Sequence, residues 1–251
     1  GAAREGATVL SETLAQYSAI MTMEREYGEE AIFKFLRYEM DNYLSSRGAE
    51  TLKEKPLMRV DASQGYVHYR KGSVILYHLK EMLGEEVLNS ALRDLVEDFA
   101  YAGPPYPTSH DLVDRIRAVT PDSLQSLVTD AFERIVLFDN RVMGDPEVEE
   151  TEDGRWQVRY QVEVSKLEAD SLGAETEVPM DDYVELAVLG EPEAGKERGP
   201  VLARERRRLT EGDLVVSFTV DERPREVAVD PDFLLIDRIP DDNVKRAGAG
   251  G

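Results

Sequence analysis

Hydrophobic side chains recur at intervals of three and four residues through the first 140 positions of the chain. This spacing places them on one face of an α-helix, so the pattern predicts a helical region. The segment Gly103-Pro104-Pro105-Tyr106-Pro107 interrupts the pattern, because proline and glycine are incompatible with a helix interior. The pattern predicts six helices, which begin at Thr8, Glu29, Tyr66, Glu85, Thr108 and Thr120, the last ending near Leu137.

After Asn140 the hydrophobic period changes from 3.6 to 2, which is the period of a β-strand with one buried face. The clearest run lies between residues 155 and 164, where apolar and polar side chains alternate. Asp153-Gly154 precedes this run and predicts a hairpin with residues 147–151. Further strands are predicted at residues 183–189, 201–209, 213–220, 226–229 and 233–237. Short antiparallel strands in this number indicate a β-sandwich.

These two patterns predict an α+β protein of more than one domain. Residues 1–139 are predicted to form a helical part and residues 140–240 an antiparallel β-sandwich. Residues 241–251 are predicted to be a disordered tail, since they end in a run of glycine and alanine with nothing to bury.

Composition excludes several classes of function. The formal net charge is −21, and such a surface repels phosphate backbones and anionic lipid headgroups, so no nucleic-acid partner is expected. The chain contains no cysteine, which excludes disulfides, thiolate zinc sites and cysteine nucleophiles. No apolar run approaches the ~20 residues of a membrane span. The chain starts at Gly1 without a methionine or signal peptide, and we expect it to be a soluble piece of a longer protein.

Glu12 is the first residue with candidate chemistry. It is the only charged residue between Val9 and Met23, and its helical neighbours are small or apolar. A carboxylate in such a stretch is expected to be at least partly buried and therefore to need a cation. From the residues alone, a buried ion pair with arginine or lysine is the simpler interpretation, and a metal ion is the alternative.

Tyr69 is the second candidate, in the segment Tyr66-Val67-His68-Tyr69-Arg70-Lys71-Gly72. It lies near the apolar face of its predicted helix, where a phenol can reach an interior site, while Gly72 allows another backbone to approach closely. An ordinary core tyrosine with a satisfied hydroxyl is the competing interpretation.

Taken together, the two segments resemble the aminopeptidase N-like gluzincins, a family of zinc metallopeptidases. Ser11-Glu12-Thr13-Leu14-Ala15-Gln16-Tyr17 is similar to the helix that supplies that family's third zinc ligand. Tyr69-Arg70-Lys71-Gly72 is similar to its Tyr-x-Lys-Gly segment, and the order and the 57-residue separation fit. The resemblance covers residues 7–137 and is greatest to the peptidase half of bacterial permease–peptidase fusion proteins.

The resemblance implies zinc as cofactor, a peptide as substrate and the end of a thermolysin-like catalytic domain as the helical part. In this family two histidines of His-Glu-x-x-His and a later glutamate bind the zinc, and the glutamate within the motif is the general base. Glu12 would then be the metal ligand. Tyr69 would be the catalytic residue that donates its hydroxyl to the oxyanion.

The chain departs from the family in having no His-Glu-x-x-His. Its three histidines are His68, His78 and His110, and no two are four residues apart. A zinc site made from Glu12, His68 and His78 is a remote alternative. We expect the motif to lie upstream, in a missing and membrane-embedded N-terminal part, and the chain alone to be inactive.

A second hypothesis is that the chain belongs to a non-catalytic relative, as a scaffold or interaction module attached to a membrane transporter-like protein.

Two charged clusters receive simpler interpretations. Arg204, Arg206 and Arg208 alternate onto one face of a predicted strand and are expected to pair with acids. The acids between Glu147 and Asp153 lack the spacing of a calcium loop.

Overall fold

The change in hydrophobic period near residue 140 corresponds to a change from helices to strands in the computed structural model, which describes residues 6–248. Helices precede two antiparallel sheets, so the predicted α+β class is confirmed. Within the described range there are six α-helices, as predicted. They are α1 Leu14–Tyr27, α2 Ile32–Ala49, α3 Gly72–Leu83, α4 Glu85–Phe99, α5 Ser109–Val119 and α6 Gln125–Phe132.

Two helix ends illustrate how local chemistry sets the boundaries. Thr108 forms a capping box with Asp111, whose carboxylate accepts hydrogen bonds of 2.8 Å from both the backbone N–H and the hydroxyl of Thr108. The last helix ends at Phe132 rather than near Leu137. After two charged residues, Ile135 and Val136 are β-branched and Phe138 is aromatic, and the chain enters a strand at Val136 instead of extending the helix.

Two short segments in this region have π-helical geometry, in which a backbone N–H bonds the carbonyl five residues earlier. The first π-turn, Val9–Thr13, leads into α1, and the Leu14 N–H bonds the Val9 carbonyl. The second π-turn, Tyr66–Lys71, leads into α3, and the Gly72 N–H bonds the Val67 carbonyl. Sequence periodicity gave no indication of either π-turn.

The strands form two four-stranded sheets. Their bounds are β1 Val136–Glu150, β2 Trp156–Ala169, β3 Glu175–Val178, β4 Asp182–Leu189, β5 Val201–Leu209, β6 Asp213–Val220, β7 Glu226–Val229 and β8 Val244–Arg246. One sheet has the order β1-β2-β3 with β6 also paired to β2, and the other has the order β5-β4-β7-β8. The Tyr160 hydroxyl of β2 lies 3.2 Å from the carbonyl oxygens of Ala187 in β4 and Ala228 in β7, so the sheets face each other as a sandwich.

Two expectations for the C-terminal region were wrong. Residues 233–237 do not form a strand, because Asp230 and Phe233 have positive φ angles and the chain turns there. The tail is not disordered throughout, because β8 pairs with β7 through partners such as Val244 and Ala228. β8 has only three residues, and the alternation of apolar and polar side chains cannot predict so short a strand. Residues 249–251 lie outside the described range.

The contacts divide the chain into two compact units. The first holds the residues up to Leu137 together with 168–176 and 234–236, and the second holds 138–167, 177–233 and the residues from Asp237 onward. The predicted boundary at residue 139 thus lies close to the first division, whereas the two short returning segments were not predicted. The first unit has its own hydrophobic core, which includes Leu36, Tyr43, Leu57, Val74 and Leu76.

None of the helices between residues 6 and 248 has both the length and the apolar composition required to cross a lipid bilayer.

Gly72 allows the first π-turn to approach the start of α3. A Cβ atom built on Gly72 would lie 2.7 Å from Cγ2 and 2.8 Å from Oγ1 of Thr13, and 3.2 Å from Cδ1 of Leu57. Real Cβ atoms do not make contacts this short, so any larger residue would push the two segments apart. The sequence predicted that another backbone would approach Gly72, whereas the atoms that fill the space are side-chain atoms of Thr13 and Leu57.

We predict that Gly72→Ala lowers the free energy of unfolding by about 1–3 kcal/mol, because an added methyl group overpacks this contact. Urea unfolding followed by circular dichroism measures the change. Gly48→Ala is the matched control, since nothing lies within 4 Å of a Cβ built at that α2 position. It should leave stability unchanged or raise it by up to about 1 kcal/mol. Equal stabilities of the two variants would contradict the close approach.

Candidate functional site

Glu12 lies on the first π-turn and is partly exposed, between the buried side chains of Val9 and Thr13. No lysine or arginine of residues 6–248 forms an ion pair with it. The interpretation of Glu12 as half of a buried ion pair is therefore wrong for the described part of the chain. The reason is its exposure, because a partly exposed carboxylate stays hydrated and does not need the cation that a buried one requires.

Tyr69 lies on the second π-turn, and its hydroxyl donates a hydrogen bond to Oε2 of Glu12. The structure thus brings together the two candidate residues that are 57 positions apart in the sequence. The tyrosine side chain is 37% exposed, so it is not an ordinary core tyrosine. The pKa of Tyr69 is raised above its ordinary value, first because the Glu12 carboxylate accepts the phenol proton in a hydrogen bond, and then because of desolvation and the charge of Glu12.

The π-helical geometry of both segments is itself informative. A π-turn inserts one residue relative to an α-helix and is rarer, and such turns occur frequently at functional sites. Here Glu12 lies on one of them and Tyr69 on the other.

The two π-turns are joined by direct contacts besides the Tyr69–Glu12 hydrogen bond. The Thr13 hydroxyl donates to the backbone carbonyl of His68 at 2.5 Å, and Thr13 is fully buried. The close approach at Gly72 adds packing on the same side. Because Thr13 follows Glu12 and His68 precedes Tyr69, these contacts fix the backbones next to both candidate residues.

A buried polar cluster holds the second π-turn from the inside. Lys71 is 1% exposed, and its Nζ atom lies 3.5 Å from the Glu54 carboxylate and 5.3 Å from the centre of the Tyr43 ring. Glu54 also accepts hydrogen bonds from the Tyr43 hydroxyl at 2.7 Å and from Arg47 at 2.8 Å. Burial lowers the pKa of Lys71, and the Glu54 charge opposes this shift. Lys71 thus serves the fold of the turn and does not face the candidate site.

His68 is a buried histidine beside Tyr69, with the two ring centres 4.7 Å apart. Its pKa is lowered, because burial disfavours the charged imidazolium, and the charges of Glu12 and Asp61 oppose this shift. Neither ring nitrogen has a hydrogen-bond partner among the described residues. Sequence reasoning considered this residue only as a remote zinc ligand.

The described residues do not by themselves form a zinc site. Between residues 6 and 248 no group of three or more His, Asp or Glu side chains is arranged to hold a metal ion. The alternative site of Glu12, His68 and His78 is therefore wrong for this part of the chain. His68 and His78 lie ten residues apart, on the second π-turn and α3, and do not converge with Glu12 on one point. Glu12 supplies no more than one carboxylate to a metal site.

The arginines of β5 are paired with acids, as the sequence predicted. Arg204 lies 2.6 Å from Asp232, Arg206 lies 2.6 Å from Glu185, and Arg208 lies 2.6 Å from Asp181. Their charges are balanced within the second unit, so this strand does not present an unpaired anion site.

No protein-family model matches the sequence, and no curated protein matches it either. The resemblance to the aminopeptidase N-like gluzincins therefore rests on the quoted residues alone and stays a prediction.

We predict that Glu12→Gln lowers the pKa of Tyr69 toward the ordinary tyrosine value of about 10. The neutral amide is a weaker acceptor and carries no charge, so the protonated phenol loses its stabilisation. The measurement is an alkaline titration of protein labelled with ¹³C at the tyrosine Cζ atoms. Tyr66 is the internal control, because burial and then the charges of Glu54 and Glu50 raise its pKa to about 12. A Tyr69 pKa that Glu12→Gln leaves unchanged would contradict the hydrogen bond.

Proposed function

We propose that this chain is the C-terminal part of a zinc-dependent aminopeptidase-like protein, in which Glu12 is the glutamate zinc ligand and Tyr69 stabilises the oxyanion. The observation that carries the proposal is the hydrogen bond from the Tyr69 hydroxyl to a Glu12 carboxylate that has no cationic partner among residues 6–248. The resemblance requires two groups near the substrate carbonyl, namely a phenol that donates a hydrogen bond and a carboxylate that binds the metal. In this chain the two groups lie side by side.

The donor set fits one ligand position of such a centre and no more. A catalytic zinc takes three protein ligands and leaves one position open, and a carboxylate oxygen is a suitable ligand. Zinc would supply a Lewis acid that polarises the scissile carbonyl and activates water. The other ligands and the general base must come from residues outside this chain, since the sequence has no His-Glu-x-x-His.

The chain's own residues would then act as follows. The Glu12 side chain is partly exposed on the first π-turn, so its carboxylate is accessible to a metal ion. Tyr69 keeps its proton at neutral pH, since the ordinary tyrosine pKa is about 10 and that of Tyr69 is raised above it, and it is therefore a hydrogen-bond donor throughout the neutral range. Donation to the developing oxyanion of a peptide carbonyl is worth about 3 kcal/mol per donor in comparable sites.

A non-catalytic scaffold attached to a membrane transporter-like protein is the second candidate. One observation favours it, namely that Glu12 already has a hydrogen-bond partner within this chain, the Tyr69 hydroxyl. The same geometry would then be a structural contact between two π-turns. The two candidates differ in what precedes residue 1 in the intact protein, where the first requires a His-Glu-x-x-His sequence.

We predict that residues 1–251 alone hydrolyse no aminoacyl-amidocoumarin substrate, with or without added zinc, because one ligand cannot assemble the centre. In the intact protein, Tyr69→Phe should lower kcat by roughly 10²–10³-fold at unchanged zinc content. Glu12→Gln should lower the zinc content itself. Fluorescence assays and metal analysis by mass spectrometry give the two readouts.

Tyr66→Phe is the matched control for this experiment, because Tyr66 lies on the same π-turn but its hydroxyl is contacted by Gln64 rather than Glu12. It should leave kcat unchanged. Full activity of Tyr69→Phe would contradict the proposal, and so would chelator-sensitive activity of residues 1–251 alone. An intact protein without zinc or peptidase activity would favour the scaffold.

A further inference from the structure

Glu39 lies on α2 and connects the two segments that carry the candidate site. Its side chain is 5% exposed. Gln16 Nε2 donates a hydrogen bond to Oε1 of Glu39 at 3.0 Å. Arg70 Nη1 donates to Oε1 at 3.1 Å and to Oε2 at 3.0 Å. One buried carboxylate therefore accepts hydrogen bonds from two different segments of the first unit.

The positions of the two donors are the informative feature. Gln16 is four residues after Glu12, one turn further along the same helical segment, and Arg70 directly follows Tyr69. The guanidinium of Arg70 also lies 5.6 Å from the centre of the Tyr38 ring, so two adjacent residues of α2 hold it. The bridge formed by Gln16, Glu39 and Arg70, called here the Glu39 bridge, thus joins the backbones that present Glu12 and Tyr69.

We infer that Glu39 is a positioning residue, which sets the separation between the Glu12 carboxylate and the Tyr69 hydroxyl without touching either. This inference rests on the proposed function, since positioning matters only if the pair acts together. A small displacement of a catalytic group lowers the reaction rate. Substitution of a residue that orients a metal ligand typically lowers metal affinity or activity 10–100-fold.

A simple structural ion pair is the competing explanation, and the chain contains a matched example. Glu24 on α1 accepts hydrogen bonds from Lys80 on α3 at 2.9 and 3.2 Å, and it is also largely buried. Glu24 and Glu39 both join helices of the first unit through a bidentate pair with one cation. Only Glu39 has donors that adjoin Glu12 and Tyr69.

The test uses the 251-residue protein labelled with ¹³C at the tyrosine Cζ atoms, and measures the Tyr69 Cζ chemical shift at pH 7. This shift reports the hydrogen bond of the phenol, and Tyr69→Phe assigns the resonance. Glu12→Gln gives the reference value for a pair that has lost its charged acceptor. Glu39→Gln keeps the side-chain length and an acceptor for Gln16 but removes the charge that Arg70 requires.

We expect Glu39→Gln to move the Tyr69 shift to a value between those of the wild type and Glu12→Gln. Arg70→Gln should produce the same change, and the double variant should change it no further, because both substitutions remove one shared interaction. Glu24→Gln should lower the thermal unfolding midpoint by less, because Lys80 also pairs with Glu81 at 2.7 Å, and it should leave the Tyr69 shift unchanged.

Two results would overturn the inference while the proposed function stands. An unchanged Tyr69 shift in Glu39→Gln would make Glu39 a structural residue only. Equal changes in Glu39→Gln and Glu24→Gln would mean that general loosening of the helices moves Tyr69. If Glu12→Gln itself leaves the shift unchanged, the Glu12–Tyr69 pair is absent, and the proposed function fails together with the inference.

Discussion

The candidate site depends on one hydrogen bond, between the hydroxyl of Tyr69 and the carboxylate of Glu12. Two residues 57 positions apart can meet in this way only if both backbones are fixed. The Thr13–His68 hydrogen bond and the absence of a side chain at Gly72 bring the π-turns together, and the Glu39 and Glu54 carboxylates hold the second turn from two sides. The polar residues around the site thus mainly hold the backbones of the two π-turns in place.

The electrostatics of Glu12 differ from those of three buried acids in the same chain. Glu39 pairs with Arg70, Glu54 with Arg47 and Lys71, and Asp182 with Lys166. Each of these carboxylates has a cation, because burial of an unpaired charge is costly. Glu12 is partly exposed, and its partner is a neutral phenol. Its charge is therefore available to an external cation in a way that the other charges are not.

Sequence periodicity predicted the regular elements well and the irregular ones poorly. The strands at 201–209, 213–220 and 226–229 have the predicted bounds, because alternation and turn residues define them locally. Residues 233–237 were predicted to be a strand because most of them are apolar, but the chain turns there. The π-turns, and a bridge such as that of Glu39, depend on contacts between distant segments, which a local pattern cannot encode. Glu12 was found because an isolated charge in an apolar stretch is a local signal, and Tyr69 because it lies near the apolar face of its predicted helix in a segment that resembles a known one.

A hydroxyl group has a single proton, and this constrains how the pair can act. While Tyr69 donates to Glu12, it cannot donate to a substrate oxygen. A cation that engages the Glu12 carboxylate weakens that carboxylate as a hydrogen-bond acceptor, so the phenol becomes free to donate elsewhere. Under the proposed function, metal binding and the release of the oxyanion donor are thus coupled through one proton. A scaffold has no use for this coupling, since any two neutral side chains that share a hydrogen bond would join the two π-turns as well.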